Sequence, residues 1–188
     1  NKLNFGECNV YGLIPPAGFF QATKIAEYQL IKNILNEIEI DIGNGYVLDL
    51  YSGSGTFTLP LLKIGYKVYA VDNNKSSIES LIKSAKEQNL FNNIEYNISN
   101  LNKEKIETQF FQKFDVVILD PPRAGSFLQL TSIVETKVKK IIYVSCNVQS
   151  FLRDTRILLS NGYKIKYVLP IDQFLYTGHL EIFSVFET

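Results

Sequence analysis

Two cysteines occur in this 188-residue chain, and only Cys146 stands where a thiol could act as a nucleophile. It directly follows an apolar run, Lys140–Ser145, that predicts a strand, and it precedes a predicted helix that begins near Val148. The N-terminal end of a helix favours a thiolate electrostatically. A lone cysteine is more often a small buried apolar residue, but this position favours nucleophilic chemistry. Cys8 lies in an irregular leader and has no such setting.

A glycine-rich turn, Asp49–Phe57, joins a predicted strand to a predicted helix. Gly53 and Gly55 let the backbone approach a ligand closely. The third glycine of the dinucleotide fingerprint is absent, which disfavours a cofactor that carries a pyrophosphate. Asp72 ends the next predicted strand, 19 residues after Gly53, where a carboxylate can bind two ribose hydroxyls. A plain tight turn is the alternative, but the strand, the helix and Asp72 together favour a bound ligand.

The sequence Asp120-Pro-Pro-Arg123 follows a fourth predicted strand. An acid and two prolines at the carboxyl end of a strand form a rigid lip over the ligand crevice, although prolines could also simply end the strand. Arg123 is either a phosphate contact or an ordinary surface residue.

The polar segment Asp172–Glu181 joins the last two predicted strands and contains the chain's one histidine, His179. We expect Glu181 to be partly enclosed at the start of a strand, with His179 as a hydrogen-bonding support. An ordinary surface loop is the alternative.

Apolar periodicity predicts the elements that position these residues. Residues 1–21 read as irregular or extended, and a helix is predicted over Thr23–Ile38 with Ile25, Tyr28, Ile31, Leu35 and Ile38 on one face. The remaining predicted strands are Tyr46–Tyr51, Lys67–Val71, Ile94–Ile98, Phe114–Leu119, Lys140–Ser145, Tyr163–Leu169 and Leu180–Phe186, and the helices are Thr56–Ile64, Ser76–Asn89 and Val148–Ser160. This alternation predicts an α/β fold with a doubly wound, mostly parallel seven-stranded sheet and an antiparallel pair at its edge.

Composition excludes several classes of protein. Apolar residues make up 46% of the chain, which is enough for a packed core and argues against disorder. No apolar run reaches the ~20 residues of a bilayer span. The formal net charge is +0, which disfavours a mainly electrostatic grip on nucleic acid by this chain alone. The two cysteines lack the paired spacing of a zinc site, so no metal is expected.

Five motifs, in order, resemble those of the RNA uracil-C5 methyltransferase family, which makes 5-methyluridine in tRNA and rRNA. They are Phe19-Phe-Gln21, Asp49-Leu-Tyr-Ser-Gly-Ser-Gly, Asp120-Pro-Pro-Arg-Ala-Gly125, Tyr143-Val-Ser-Cys-Asn147 and Thr177-Gly-His-Leu-Glu181. The resemblance runs from about Gly12 to Phe186. Jointly the motifs are specific, although many methyltransferases share the glycine motif alone.

The resemblance implies a Rossmann-like methyltransferase fold, S-adenosylmethionine as cofactor, and roles for individual residues. Cys146 matches the family's nucleophile and Glu181 its general base. Thr56 and Asn100 stand where relatives often have Asn and Asp, but no departure from the family pattern removes a reacting group. The residues that match the cofactor pocket, together with the glycine of the turn, are Gln21, Tyr51, Gly53, Thr56, Asp72, Asn100 and Asp120.

The resemblance also implies a domain organisation. Residues 1–22 are expected to be a leader that contributes to the cofactor site, and residues 23–188 the catalytic domain. Relatives carry an N-terminal RNA-binding barrel, and we expect it to be absent from these 188 residues. With no Met and a net charge of +0, the chain is expected to continue an upstream RNA-binding domain. We expect a cytoplasmic monomer that acts on tRNA or rRNA and does not bind membranes.

Three alternatives stay open at this point. An Asp-Pro-Pro amino-group methyltransferase, acting on RNA or DNA, would need no cysteine. A cytosine-C5 RNA enzyme usually places a cysteine directly after Asp-Pro-Pro, where this chain has Arg123. A catalytically silent module that only binds cofactor or RNA is disfavoured by the presence of both Cys146 and Glu181.

Overall fold

The computed structural model describes residues 2–5, 8–16, 18, 21–38, 45–172 and 180–188. It divides into two compact units, Asn1–Ser99 and Asn100–Thr188. No helix among these described residues is both long and apolar enough to cross a bilayer.

The first unit contains a short antiparallel hairpin followed by three parallel strands with intervening helices. In chain order its elements are β1 (Lys2–Phe5), β2 (Val10–Leu13), α1 (Lys24–Glu37), β3 (Tyr46–Leu50), α2 (Thr58–Lys63), β4 (Lys67–Asp72), α3 (Lys75–Glu87), a 3₁₀ turn (Phe91–Asn93) and β5 (Ile94–Ile98). β4 pairs in parallel with both β3 and β5. Thr23 and Asn74 begin α1 and α3 by accepting backbone N–H groups with their side chains.

The second unit continues the strand–helix alternation and ends in an antiparallel pair. Its elements are α4 (Thr108–Phe111), β6 (Val116–Leu119), α5 (Phe127–Thr136), β7 (Lys140–Ser145), α6 (Val148–Ser160), β8 (Lys164–Ile171) and β9 (Glu181–Glu187). β6 and β7 are parallel, whereas β9 runs antiparallel to both β7 and β8.

The seven longer strands form one sheet in the order β5-β4-β3-β6-β7-β9-β8, with β8 at one edge. β3, β6 and β7 are almost entirely buried and apolar, as expected of strands covered on both faces. The predicted mostly parallel seven-stranded sheet, with its antiparallel pair at the edge, is confirmed.

The predicted apolar face of α1 is buried only in part. Ile31 and Ile38 lie in the core, but Ile25 is 73% exposed. Ala26, Leu30 and Ile34, which were not on the predicted face, are buried. Apolar residues occur on more than one side of this helix, so their spacing alone could not say which side packs inward.

The leader, expected to be irregular or extended, contains the β1–β2 hairpin. β2 is held by α3: Gln88 accepts a hydrogen bond from the Tyr11 backbone N–H at 3.0 Å and donates one to the Tyr11 carbonyl at 2.7 Å. Ser84 accepts from the Leu13 N–H at 2.8 Å. These contacts join residues more than 70 positions apart, which local sequence patterns do not report.

Helix α5 was absent from the predicted elements. It buries Leu130 and Ile133, but also the polar residue Gln129, which interrupts an apolar helical pattern. The Gln129 side chain donates to the carbonyls of Leu101 and Glu104, at 2.6 and 2.8 Å, and accepts from the Ile106 N–H at 3.1 Å. Its amide therefore replaces the backbone partners that the irregular segment before α4 lacks.

Candidate active site

The turn after β3 adopts a conformation that L-residues rarely occupy. Tyr51, Gly53 and Gly55 have φ angles of 65°, 54° and 93°. A Cβ at Gly55 would lie 2.4 Å from Leu81 Cδ1, so this glycine is needed for packing. A Cβ at Gly53 would meet nothing within 4 Å, so its backbone faces open space. Of the two glycines in this turn, Gly53 is therefore the one that lets a ligand approach the main chain.

Asp72 holds this turn in place. One carboxylate oxygen accepts a hydrogen bond from the Gly53 N–H at 2.9 Å, and the other accepts from the Asn74 N–H at 2.8 Å. Asp72 ends β4 and remains partly exposed. The sequence assigned Asp72 and the glycine turn to one ligand site, and the structure shows that they are in direct contact. The carboxylate keeps lone pairs for a further donor.

Asp49 begins the glycine motif and was not among the predicted site residues. It is 0% exposed, and Thr58 donates its hydroxyl to Asp49 Oδ2 at 2.5 Å. Burial, together with the charge of Asp72, raises the pKa of Asp49 to about 7, against the opposing hydrogen bond from Thr58.

Three polar atoms in this turn are buried without a hydrogen-bond partner among the described residues: Asp49 Oδ1 and the hydroxyls of Ser52 and Ser54. Such atoms cost free energy unless a ligand or water satisfies them. The turn therefore offers unmet polar groups beside an open backbone. The sequence signal for Asp49 was its place as the first residue of the motif.

The other predicted cofactor residues lie in both units and are described separately. In the first unit Gln21 is buried, and Tyr51 and Thr56 are partly exposed. In the second unit Asn100 Oδ1 accepts a hydrogen bond from the Asn102 N–H at 3.2 Å, and Asp120 is partly exposed just after β6. Their joint role in cofactor binding remains a prediction.

Cys146 lies between the end of β7 and the start of α6, as the sequence predicted. The residues that flank it are fixed locally. The Asn147 side chain caps α6 by accepting the Ser150 N–H at 3.0 Å, and the Ser145 hydroxyl accepts the Asn147 N–H at 3.3 Å. Cys146 is partly exposed, and both described cysteines remain thiols.

The register between β7 and β9 brings Glu181 to Cys146. Ser145 is opposite Ile182 in this antiparallel pair, so the next positions along the two chains are Cys146 and Glu181. Glu181 is only 4% exposed, so it is more enclosed than expected. A thiol and a buried carboxyl group therefore lie side by side at the end of the sheet.

The pKa of the Cys146 thiol is raised, whereas its place before α6 led us to expect a lowered pKa. Burial raises the pKa of the Cys146 thiol, and the carboxyl groups of Glu181 and Asp120 raise it further, while a backbone hydrogen bond and Arg123 act in the other direction. The start of α6 is where the sequence predicted it, but the pKa of the thiol is raised, chiefly by desolvation and then by the two acids. The thiol is thus protonated at neutral pH in the absence of substrate.

The loop after β6 carries Asp120 and Arg123 to this thiol. Pro121 is buried and Arg123 is exposed, and the Gly125 N–H donates to the Pro122 carbonyl at 2.8 Å, closing a turn. The structure thereby brings together Cys146, Glu181, Asp120 and Arg123 within the second unit. His179 and the motif residues Phe19, Phe20, Thr177 and Gly178 lie outside the described residues. Within the described part of the chain, no group of three or more His, Cys, Asp or Glu residues could hold a metal ion.

The family model for tRNA (uracil-5-)-methyltransferase matches residues 17–187. The chain belongs to this family. A relative from Caulobacter vibrioides, named as an uncharacterized RNA methyltransferase, is 36% identical over 173 residues, which are 92% of this chain and 41% of the relative. The 23S rRNA (uracil(1939)-C(5))-methyltransferase of Pasteurella multocida is 36% identical over 170 residues, 90% of this chain and 38% of that protein.

One solved structure is similar to nearly the whole of this chain. It is the tRNA (uracil-54, C5)-methyltransferase of Pyrococcus abyssi in complex with S-adenosyl-L-homocysteine, with a TM-score of 0.82 and 29% identity over 99% of this chain and 44% of that chain. The chain thus spans about two fifths of the length of the curated relatives reported above.

Proposed function

We propose that this chain methylates C5 of uracil in RNA, with S-adenosylmethionine as methyl donor and Cys146 as a covalent nucleophile. The observation that carries the proposal is the β7–β9 register, which pairs a thiol with a buried carboxyl group. Family membership supports uracil as the base. The Pasteurella multocida relative is named for 23S rRNA and the Pyrococcus abyssi structure for tRNA, so the proposal extends to either class.

The glycine turn fits a polar cofactor. It offers the unpaired Asp49 Oδ1 and two unpaired serine hydroxyls beside the open backbone of Gly53. S-Adenosylmethionine supplies an electrophilic methyl group when bound. We propose that the first unit contributes Gln21, Tyr51, Gly53, Thr56 and Asp72 to its binding, and the second unit Asn100 and Asp120.

The proposed chemistry uses Cys146 to activate a weak carbon nucleophile. The Cys146 thiol first loses its proton to solvent water. The thiolate sulfur then bonds to C6, and the C5–C6 π electrons shift toward the O4 carbonyl to give an enolate. C5 can then take the methyl group. Since Cys146 is protonated before substrate enters, adduct formation is expected to accelerate as pH rises through the thiol pKa.

Glu181 completes the reaction by removing the proton from C5. The electrons of that C–H bond re-form the C5–C6 double bond, and the C6–S bond breaks to release Cys146. A carboxyl group enclosed next to the sulfur suits this step because the proton turns labile only once C5 is tetrahedral. The uracil ring must expose both C5 and C6 to the enzyme, so the target nucleotide is expected to be unstacked or flipped.

Trapping with RNA that contains 5-fluorouridine tests the proposal. Fluorine at C5 cannot leave as a cation, so the methylated adduct cannot break down and should migrate with the protein on a denaturing gel. Cys146→Ser should abolish the adduct, whereas Cys8→Ser should retain it. Methyl transfer without any adduct would contradict the covalent mechanism and favour the amino-group alternative.

A further inference from the structure

Asp154 is a buried carboxyl group that the proposed chemistry does not use. It lies in α6, six residues after the first residue of that helix, and is 0% exposed. Asp154 Oδ2 accepts hydrogen bonds from the Ser126 N–H and the Tyr143 hydroxyl, both at 2.7 Å. One side chain therefore links α6, strand β7 and the loop between β6 and α5.

Arg153 adds a second link between the same helix and the same loop. Its guanidinium donates to Asp154 Oδ1 through Nε at 2.8 Å and lies 2.6 Å from it through Nη2. Nη2 also donates to the Ala124 carbonyl at 2.8 Å, and the guanidinium lies 5.4 Å from the centre of the Phe127 ring. The loop is thus held by its backbone on both sides of Gly125.

Gly125 lets the loop settle directly on this ion pair. Its φ is 77°, and a Cβ there would lie 2.5 Å from Asp154 Oδ2 and 2.6 Å from Arg153 Nη2. A side chain at this position would have to push the loop away from α6. The hydrogen bonds and the close approach therefore specify one position of the loop against the helix.

The position of this loop matters because it begins with the two charged groups that act on Cys146. Asp120 and Arg123 precede Ser126 by only a few residues, and Cys146 precedes α6. We propose that Asp154 is a positioning residue that fixes the Asp120–Ser126 loop beside Cys146. The proposal rests on the proposed function for the importance of the thiol, but its structural content is independent of methyl transfer.

The reactivity of Cys146 toward iodoacetamide tests this proposal without RNA or cofactor. In a Cys8→Ser background Cys146 is the one remaining thiol, so the pH dependence of alkylation reports on it alone. The groups that face it are Glu181 on β9 and Asp120 and Arg123 on the loop. Asp154→Asn should loosen the loop, which hydrates the thiol and moves Asp120 away from it. Both changes lower the pKa of Cys146, and together they should outweigh the opposite effect of moving Arg123 away.

Alkylation of Asp154→Asn at neutral pH should therefore be at least about threefold faster, with the whole profile shifted to lower pH. Gly125→Ala, which displaces the loop while keeping Asp154, should shift the profile in the same direction. Glu27→Gln is the matched control, because it alters a buried carboxyl group on α1 in the other unit. Its profile should match that of the parent.

Thermal unfolding of each variant identifies those that are folded at the temperature of the alkylation assay. An unchanged profile in folded Asp154→Asn would overturn the proposal. If Asp154→Asn does not fold, Gly125→Ala decides the question in the same way. An equal shift in Glu27→Gln would also overturn it, because the effect would then reflect general loosening. If the parent protein forms no adduct with 5-fluorouridine RNA, the proposed function is refuted. The alkylation results still test the role of Asp154 in that case.

Discussion

Replacing Asp49 by Asn should reverse its effect on stability between acidic and alkaline pH. The folded protein holds the Asp49 carboxyl group with a pKa of about 7, against an ordinary value of 3.8. Between these two values the folded state binds a proton that the unfolded state has lost. The stability of the folded state therefore falls as pH rises through this window, by about 1.4 kcal/mol for each pH unit.

The magnitude follows from the width of the window. From about pH 5 to about pH 8 the parent should lose about 3 kcal/mol of stability through Asp49 alone. Asn cannot ionise, so the variant lacks this loss. Its amide oxygen can still accept the Thr58 hydroxyl, but its NH₂ group takes the place of an oxygen that has no partner, which costs about 1–3 kcal/mol at every pH. The variant should be the less stable protein below about pH 4, where both states of the parent are protonated at Asp49, and the more stable protein near pH 8.

Urea unfolding of both proteins at several pH values measures this difference. The quantity of interest is the free energy of unfolding of the variant minus that of the parent, which cancels other titrating groups. Glu79→Gln is the control for replacing a carboxyl group by an amide, because Glu79 is exposed on α3 beside Lys75. A difference for Asp49→Asn that varies with pH no more than the difference for Glu79→Gln would refute the inference that Asp49 is a buried carboxyl group with a raised pKa.

The remaining predictions concern the site. Glu181→Gln should lower turnover by about 10²–10⁴-fold and accumulate a methylated protein–RNA complex on ordinary uridine substrate; normal turnover without that complex would show that the base lies elsewhere. In the same variant iodoacetamide should alkylate Cys146 faster, because a carboxyl group that raises the pKa of the thiol has been removed. Slower alkylation would contradict that cause. Asp72→Ala should weaken S-adenosylmethionine binding by about 1.5–3 kcal/mol in calorimetry, and unchanged affinity would count against its role. Gly55→Ala should lower the free energy of unfolding by roughly 1–3 kcal/mol more than Gly53→Ala does, because the added Cβ would meet Leu81 at Gly55 but nothing at Gly53. Equal losses in the two variants would argue against the packing role of Gly55.

Local sequence patterns determined much of the scaffold. Apolar runs bounded by turn residues located the strands of the sheet, and two of them, Ile94–Ile98 and Lys140–Ser145, have the observed bounds. The glycine turn and Asp72 were linked by motif spacing alone, and they are in contact. Such features were accessible because strand formation, tight turns and helix starts depend on residues a few positions apart.

The features that local patterns missed depend on contacts between distant segments. They are part of the buried face of α1, the hairpin β1–β2 and helix α5. Each of them packs through residues that carry no local signal, such as Gln129.

The site shows the same division between sequence and tertiary structure. Sequence motifs and family resemblance named Cys146 and Glu181 separately, from segments 35 positions apart. Their adjacency comes from the register of β7 with β9, and a one-residue slip would carry the Glu181 side chain to the other face of the sheet. The direction of the thiol pKa likewise reversed the expectation from the helix, because burial and neighbouring carboxyl groups are properties of the packed chain. The sequence by itself thus determined which reactive groups are present, and only tertiary structure decided what surrounds each of them.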